Sequence, residues 1–355
     1  MKAFSDFSLA GLESQLAAWG GKTSHARRLL LDYYAGAGKV NWERHRLPRR
    51  LQERLSAECV LLESAVVWRS AAADGTVKLL LKLADGKTVE SVAMPAYQKD
   101  RLAGCVSSQV GCAMACDFCA TTQTGFERNL STGEMVEQFL HLRSEAQAAG
   151  RRLQTVVFMG MGEPMLNLDN VLEAAQRMAG EAMGALGWRQ ITVSTVGIVP
   201  GIDAMTAADL NINLAVSLHA PDDATRAKLI PSGRRFGVGE ILAAADRYQA
   251  KQGRPVSIQY CLLGGVNDSV EQARQLAALL AGRRMHVNLL HYNPTGASLT
   301  GKTYAPSPVA AADAFIAELR ALGVVAHFRR SRGREIDAAC GQLRRRSATG
   351  GLPGG

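Results

Sequence analysis

Hydrophobic positions change their spacing along this 355-residue chain. In the first 60 residues they recur at helical intervals, as at Leu9, Leu12 and Leu16, which predicts short helices. Three strand-like stretches follow, VVWRS, TVKLLLKL and TVESVAM, and Asp-Gly turns that favour hairpins separate them. The pattern therefore predicts a small N-terminal domain over residues 1–95, built from helices and a three-stranded β-meander.

From about residue 100, strand-like stretches alternate with helical ones. The predicted strands lie near residues 103–110, 154–159, 190–195, 212–217, 255–262 and 285–292. A helix near 307–322 leads to a last strand, VVAHFRR. Six strand–helix units predict an α/β core over residues 96–343, an open (β/α)6 barrel whose site lies at the carboxyl ends of its strands. A basic, Gly-rich tail, residues 344–355, is predicted to be flexible.

Charge and hydropathy narrow the choice of partners. No run of about eighteen apolar residues predicts a membrane span, and the N-terminus lacks the apolar segment of a secretory signal. We therefore expect a cytoplasmic protein that does not enter membranes. The net charge is +9, with six arginine pairs and the triplet Arg344-Arg345-Arg346, and arginine matches phosphate geometry. On charge alone, an ordinary basic surface explains this equally well.

Four of the seven cysteines fall within fifteen residues, and three of them, Cys112, Cys116 and Cys119, form a C-x3-C-x2-C pattern. Three thiolates on one loop can hold three irons of a cubane cluster and leave the fourth iron open to a substrate or cofactor. Zinc is the alternative, but a zinc site usually pairs two knuckles, and only one is present here. The pattern, with Phe118 before its last cysteine, resembles the signature of the radical S-adenosylmethionine (SAM) superfamily.

Further candidates lie at the ends of the predicted barrel strands, where barrel sites are built. Each polar residue on its own is equally well explained as a helix cap or turn residue, but their repetition at successive strand ends favours a ligand site. In radical SAM proteins the GxGEP position holds the amine of SAM. The candidate cofactor-binding residues are Gly162, Glu163, Ser194, Ser217, Leu218, His219 and Asn293.

Two more cysteines lie outside the C-x3-C-x2-C pattern, and their spacing alone does not indicate a function. Cys105 lies on the first predicted barrel strand, and Cys340 follows the last strand. A cysteine in either place is most often a small buried hydrophobic residue. Glu90 lies on the third meander strand, on one face with Val92 and Met94. Its carboxylate is predicted either to point inward, where it could act as a base, or to face solvent.

Several long stretches, in the same order, resemble the RlmN/Cfr family of radical SAM adenine methyltransferases, from about Glu90 to Leu343. They are CVSSQVGCAMACDFCATTQTGFERNL, GMGEPMLN, VSTVGIVP, SLHAP, NLLHYNPTG and RGREIDAACGQL. The N-terminal module is similar in pattern only.

This resemblance implies a 4Fe–4S cluster on the three clustered cysteines and two SAM molecules per turnover. Cys340 would take a methyl group from the first SAM, and the adenosyl radical from the second SAM would activate that methyl group for addition to adenine. Cys105 would then release the product as a Cys105–Cys340 disulfide forms. Glu90 matches the proposed proton acceptor of the family, and Cys105 is the rival for the same proton.

The substrate implied is the peptidyl-transferase-centre adenosine of 23S rRNA, methylated at C2, with an anticodon-adjacent tRNA adenosine as a second target. A flavodoxin-type electron donor and a monomeric chain are further expectations. The alternatives are C8 methylation of the same adenosine, which confers antibiotic resistance, a radical SAM enzyme with another substrate, and a non-enzymatic RNA-binding protein with a structural metal.

Overall fold

The structure is a computed structural model that describes residues 1–329 and 331–343. The predicted basic, Gly-rich tail, including Arg344-Arg345-Arg346, lies outside the described residues. Within the described part of the chain, no helix is both long enough and apolar enough to cross a membrane.

The strands of the described residues are numbered in chain order. They are β1 Lys2–Ala3, β2 Cys59–Val60, β3 Ala65–Ala71, β4 Val77–Lys82, β5 Thr88–Pro95, β6 Arg101–Val106, β7 Gln109–Gly111, β8 Phe126–Asn129, β9 Arg152–Phe158, β10 Ile191–Thr195, β11 Asn213–Ser217, β12 Val256–Leu262, β13 Met285–His291 and β14 Ala326–Arg329.

The α-helices are numbered in the same way. They are α1 Leu9–Ala18, α2 Ser24–Ala35, α3 Trp42–His45, α4 Arg49–Glu58, α5 Ala120–Gln123, α6 Thr132–Ala148, α7 Leu168–Ala179, α8 Val199–Ala207, α9 Asp223–Leu229, α10 Val238–Gln252, α11 Val270–Leu280 and α12 Val309–Ala321. Short 3-10 helices lie at Phe4–Asp6, Pro164–Asn167, Trp188–Gln190, Pro231–Arg235 and Arg334–Ile336.

The main sheet has ten strands in the order β14-β13-β12-β11-β10-β9-β6-β5-β4-β3. From β6 to β14 all neighbours are parallel, and helices connect most of them, which confirms the α/β barrel fold. The meander β3–β5 is confirmed too, and it continues the same sheet by antiparallel pairing of β5 with β6. The division into domains at residue 95 stays a prediction.

One strand boundary was wrong. The stretch predicted as a single strand over 103–110 ends at Val106, and Gln109–Gly111 turns away to form a separate hairpin with Phe126–Asn129. Gly111 allows the pairing with Phe126–Asn129, because its φ of 78° suits a residue without a side chain. A Cβ there would lie 1.8 Å from the carbonyl oxygen of Gly125, so the close approach of the two hairpin strands requires glycine.

The helix of the first barrel crossover, α6, also anchors the N-terminal module. Ser131 caps it in a capping box with Glu134. On its buried face, the carboxylate of Glu137 accepts hydrogen bonds from the Ser5 hydroxyl at 2.9 Å and from the Ser64 backbone N–H at 2.7 Å. A buried carboxylate held by several donors fixes the module against the barrel, because leaving those donors unpaired would be costly.

Candidate active site

A cavity of about 1000 Å³, including space open to solvent, lies at the carboxyl ends of the parallel strands. This is where the barrel architecture places its sites. The structure brings most of the predicted residues together on its wall. The predicted residues that line it are Cys112, Cys116, Cys119, Gly162, Glu163, Ser194, Ser217, His219 and Cys340.

The cysteine loop, residues 112–119, joins β7 to α5. It turns tightly at Ala115, whose φ is 53°, and the Cys119 N–H donates to the Cys116 carbonyl at 3.0 Å. The Thr122 hydroxyl donates to the same carbonyl and to that of Cys119. These contacts hold the loop so that all three thiols line one cavity wall.

The chemistry of the loop fits an iron–sulfur cluster. Burial raises the pKa of the Cys112 thiol to about 12 and raises those of Cys116 and Cys119, so a cationic metal centre is needed to hold them as thiolates. No three His, Cys, Asp or Glu side chains of the described residues converge on a single ion. A cubane does not require this, since each cysteine binds its own iron.

Asp117 ties the cysteine loop to the segment after β13, a contact that sequence reasoning missed. Its carboxylate accepts from the backbone N–H and the hydroxyl of Thr300, at 3.1 and 2.7 Å, and from the Tyr304 hydroxyl at 2.7 Å. These hydrogen bonds keep the pKa of Asp117 below its usual range despite its burial. A charged residue between two cysteines is a sequence signal for such a tether.

We expect Asp117→Ala to loosen the cysteine loop. It removes one acceptor for three donors, so loss of iron to a chelator should accelerate about tenfold, the equivalent of one lost charge-assisted hydrogen bond. Iron release from the anaerobic protein measures this, with the exposed Asp313→Ala as control. Equal release rates for both variants would show that the tether does not support the loop.

The backbone of the GxGEP segment packs closely against the neighbouring residues Val106 and Gln109. Cβ atoms on Gly160 and Gly162 would lie 2.8 Å from the Val106 carbonyl oxygen and 2.6 Å from the Gln109 Cβ, so both positions require glycine. Glu163 is buried, and its carboxylate accepts from the N–H groups of Met165 and Val196 at 3.0 and 2.9 Å. Burial raises the pKa of Glu163 to about 7.

The middle strands add hydroxyls and amides. Ser194 and Ser217 lie 3.4 Å apart, oxygen to oxygen, on neighbouring strands. Gln259 on β12 lines the same cavity, and its Oε1 has no hydrogen-bond partner among the described residues. Sequence reasoning missed Gln259, although a lone amide in the apolar stretch SIQYCLL was a usable signal. Leu218, by contrast, is buried outside the lining of the cavity.

His219 is held in one protonation state. Its Nδ1 accepts from the Cys261 backbone N–H at 2.9 Å, so the proton of the neutral ring lies on Nε2. Burial and nearby Arg226 lower the pKa of His219 to about 3. The ring packs edge-to-face on Phe118, at 5.0 Å between centroids. His219 is therefore a neutral hydrogen-bond donor on the cavity wall.

Two further thiols, those of Cys105 and Cys340, share a second cavity of about 830 Å³ with Cys119 and Asn293. Cys340, which is exposed, lines both cavities, whereas Cys105 is buried and lines only the second. Burial raises the pKa of Cys105 to about 12. The Asn293 side-chain amide donates to the Cys340 carbonyl at 3.4 Å. All seven cysteines are free thiols, so the implied Cys105–Cys340 disulfide is not formed in this structure.

Glu90 faces the interior and is fully buried. It forms an ion pair with Lys78, 3.2 Å from Nζ to Oε1, and Lys78 is also fully buried. The Lys78 ammonium donates to the carbonyl of Asp337 at 3.1 Å, on the segment that leads to Cys340. Val92, two residues from Glu90 on the same face, pairs directly with Cys105. Glu90 lies outside the linings of both cavities.

Comparisons with known proteins agree with this geometry. The sequence profile of the Radical SAM superfamily matches residues 106–277. The chain is 66% identical over 96% of both chains to “Probable dual-specificity RNA methyltransferase RlmN 1” from Opitutus terrae. It is 45% identical to “Probable dual-specificity RNA methyltransferase RlmN” from Thermus thermophilus. That match covers 87% of this chain and 86% of the relative.

The crystal structure of a radical SAM methyltransferase from Sphaerobacter thermophilus superimposes with a TM-score of 0.90 at 41% identity. The match covers 97% of this chain and 99% of that one. The chain therefore belongs to the RlmN family of radical SAM dual-specificity RNA methyltransferases, which use a 4Fe–4S cluster and SAM, two molecules per turnover.

Proposed function

We propose that this chain methylates C2 of the peptidyl-transferase-centre adenosine in 23S rRNA, and an anticodon-adjacent adenosine in tRNA as a second target. The observation that carries the proposal is the second cavity, where Cys105 and Cys340 meet beside Cys119. If the methyl group passes through a cysteine, one thiol must carry it and a second thiol must release the product. Direct methyl transfer from SAM needs neither thiol.

The proposed cluster ligands are Cys112, Cys116 and Cys119. A cluster held by these three thiolates, with SAM bound, would supply a 5′-deoxyadenosyl radical able to remove hydrogen from an unactivated methyl group. The proposed SAM contacts are Gly162, Glu163, Ser194, Ser217 and His219 on the first cavity, the backbone of Leu218 between the last two, and Asn293 on the second cavity. The unpartnered Oε1 of Gln259 adds an acceptor to this wall.

Cys340 is the proposed methyl carrier. As a thiolate it attacks the methyl carbon of one SAM, the bond from that carbon to the sulfonium breaks, and S-adenosylhomocysteine leaves. Its exposure and its place on both cavity walls support this role, because it faces the SAM side and the thiol side together. An adenine carbon is not nucleophilic, so a carrier activated by hydrogen removal avoids the barrier to direct transfer.

Cys105 is the proposed resolving thiol. Once the Cys340-bound carbon has bonded to adenine and the hydrogen of the adenine carbon has left as a proton, the unpaired electron of the adduct would return to the cluster. Cys105 then attacks the Cys340 sulfur and gives up its thiol proton, the carbon–sulfur bond breaks, and its electron pair leaves with the product carbon, which takes up a proton. A Cys105–Cys340 disulfide forms and is reduced before the next turnover. Burial raises the pKa of Cys105 to about 12, so the thiol still carries its proton when it attacks.

Glu90 is the proposed proton acceptor for the hydrogen on the adenine carbon. Its ion pair with buried Lys78 favours the carboxylate form that a base requires. Since Lys78 also binds the Asp337 carbonyl, the pair places this carboxylate beneath the Cys340 segment. A base held in this way contributes through proton transfer in the step after carbon–carbon bond formation.

We expect Glu90→Gln to lower RNA methylation about 100-fold, the usual contribution of a general base. Iron content and SAM cleavage should be unchanged. The matched control is Glu127→Gln, since Glu127 pairs with Lys87 at 2.6 Å on a partly exposed strand. Wild-type methylation by the Glu90 variant would assign the proton to Cys105 instead.

The chain's basic character supports an RNA-binding N-terminal module that uses phosphate contacts, and the target base would be flipped into the barrel. A cytoplasmic location, a monomeric state and a flavodoxin-type reductant complete the proposal. Product analysis tests it: full-length protein, dithionite and rRNA or tRNA fragments should yield 2-methyladenosine. Formation of 8-methyladenosine would instead assign the antibiotic-resistance type of reaction, and no methylated adenosine would refute the proposal.

A further inference from the structure

A buried guanidinium lies behind the cysteine loop, and the proposed reaction does not use it. Arg226 on α9 is only 1% exposed and is among the largest fully buried side chains of the described residues. It is absent from the linings of both cavities, so it does not touch a ligand there. A buried charge is costly unless an opposite charge or hydrogen bonds compensate it.

The packing places Arg226 against the loop that carries the cluster ligands. The Asp117 N–H, next to Cys116, donates to the carbonyl of Leu229 in the last turn of α9, at 2.9 Å. The Ser232 hydroxyl donates to the Met114 carbonyl at 2.6 Å. Leu229 also packs in one apolar cluster with Cys116. The helix of Arg226 and the 3-10 helix that follows it are thus joined to the loop at Asp117 and at Met114.

The hydrogen bonds of Arg226 do not neutralise it. Nη1 donates to the Gly233 carbonyl at 3.2 Å and Nη2 to the Val196 carbonyl, which are both neutral acceptors. Nε has no hydrogen-bond partner, and no carboxylate pairs with the guanidinium, among the described residues. The nearest carboxylate along α9 is that of Asp223, which is exposed and lies one turn earlier.

We propose that Arg226 is the buried counter-charge of the iron–sulfur cluster and raises its reduction potential through the cavity wall. Three thiolates and the cluster carry a net negative charge that grows by one on reduction. A fixed cation nearby in a medium of low dielectric constant therefore stabilises the reduced form more than the oxidised form. The placement agrees with this, because Val196, whose carbonyl accepts from Nη2, lines the same cavity as the three cluster cysteines. The inference rests on the proposed cluster ligands.

The test is an EPR-monitored redox titration of the anaerobically reconstituted full chain. Arg226→Gln should shift the midpoint potential of the cluster to more negative values, whereas Arg226→Lys, which keeps the charge, should stay within error of wild type. Arg247→Gln removes the same charge from an exposed pair with Asp203 and should cause no shift. The iron content of the wild-type protein is measured first, to show that the cluster is present. If the wild-type protein held no cluster, the assignment of the three cysteine ligands would be refuted, and not the role of Arg226.

A second variant keeps the inference testable if Arg226→Gln does not fold. Asp223→Asn removes the negative charge of the carboxylate nearest to Arg226 along α9. The asparagine keeps a side-chain oxygen for the hydrogen bond that the Val238 N–H donates to Asp223 at 2.7 Å. It should shift the potential in the opposite direction. Unchanged potentials in Arg226→Gln and Asp223→Asn, or equal shifts in the Gln and Lys variants, would overturn the inference. So would weaker SAM binding at an unchanged potential, which would assign Arg226 to SAM.

Discussion

Replacing Cys340 by alanine is expected to abolish RNA methylation. Without its sulfur there is no atom to carry the methyl carbon, and residual turnover should fall below about one ten-thousandth of wild type, as for other lost nucleophiles. Methyl incorporation from labelled SAM into an RNA fragment measures this. The cluster should be intact, because Cys340 is not among its proposed ligands.

The control for this experiment is the iron content of the same Cys340→Ala preparation, which should equal that of wild type. Cys59→Ala provides a second control, since Cys59 is a buried thiol of the N-terminal module. It should methylate RNA like the unchanged protein. Normal methylation by the Cys340 variant would refute the two-thiol mechanism but would leave family membership untouched.

Replacing Cys112 by alanine is expected to remove the cluster and, with it, every reductive step. A cubane held by two protein thiolates instead of three loses a covalent ligand, so iron per chain should fall several-fold and the broad absorbance near about 400 nm should disappear. No 5′-deoxyadenosine should form with dithionite and SAM. A Cys112 variant with full iron content would show that another residue completes the site.

Much of the fold could be predicted from the sequence because the barrel strands are apolar runs bounded by glycine and polar residues. The strand predicted at 255–262 is observed at Val256–Leu262, and the helix predicted at 307–322 at Val309–Ala321. Gln109–Gly111 could not be assigned in this way. Its pairing with β8 brings Gly111 close to Gly125, and local patterns do not record such pairings.

The site was predictable where its residues lie together in one short stretch of sequence, as in the cysteine loop and the GxGEP turn. It was not predictable where it depends on which side chains meet across strands or between segments that lie far apart in the chain. The pairing of Lys78 with Glu90 joins two meander strands, and the contact of Asp117 with Tyr304 spans 187 positions. Arg226 reads as an ordinary exposed helix residue until the fold shows it buried behind the cluster loop.

Isotope tracing from SAM with a fully deuterated methyl group tests the central claim most directly. If Cys340 carries the methyl group and loses one deuterium to the adenosyl radical, multiple turnovers should give methyladenosine with two deuterium atoms and one solvent hydrogen, and 5′-deoxyadenosine with one deuterium. Methyladenosine that retains all three deuterium atoms would mean intact methyl transfer and would contradict the account.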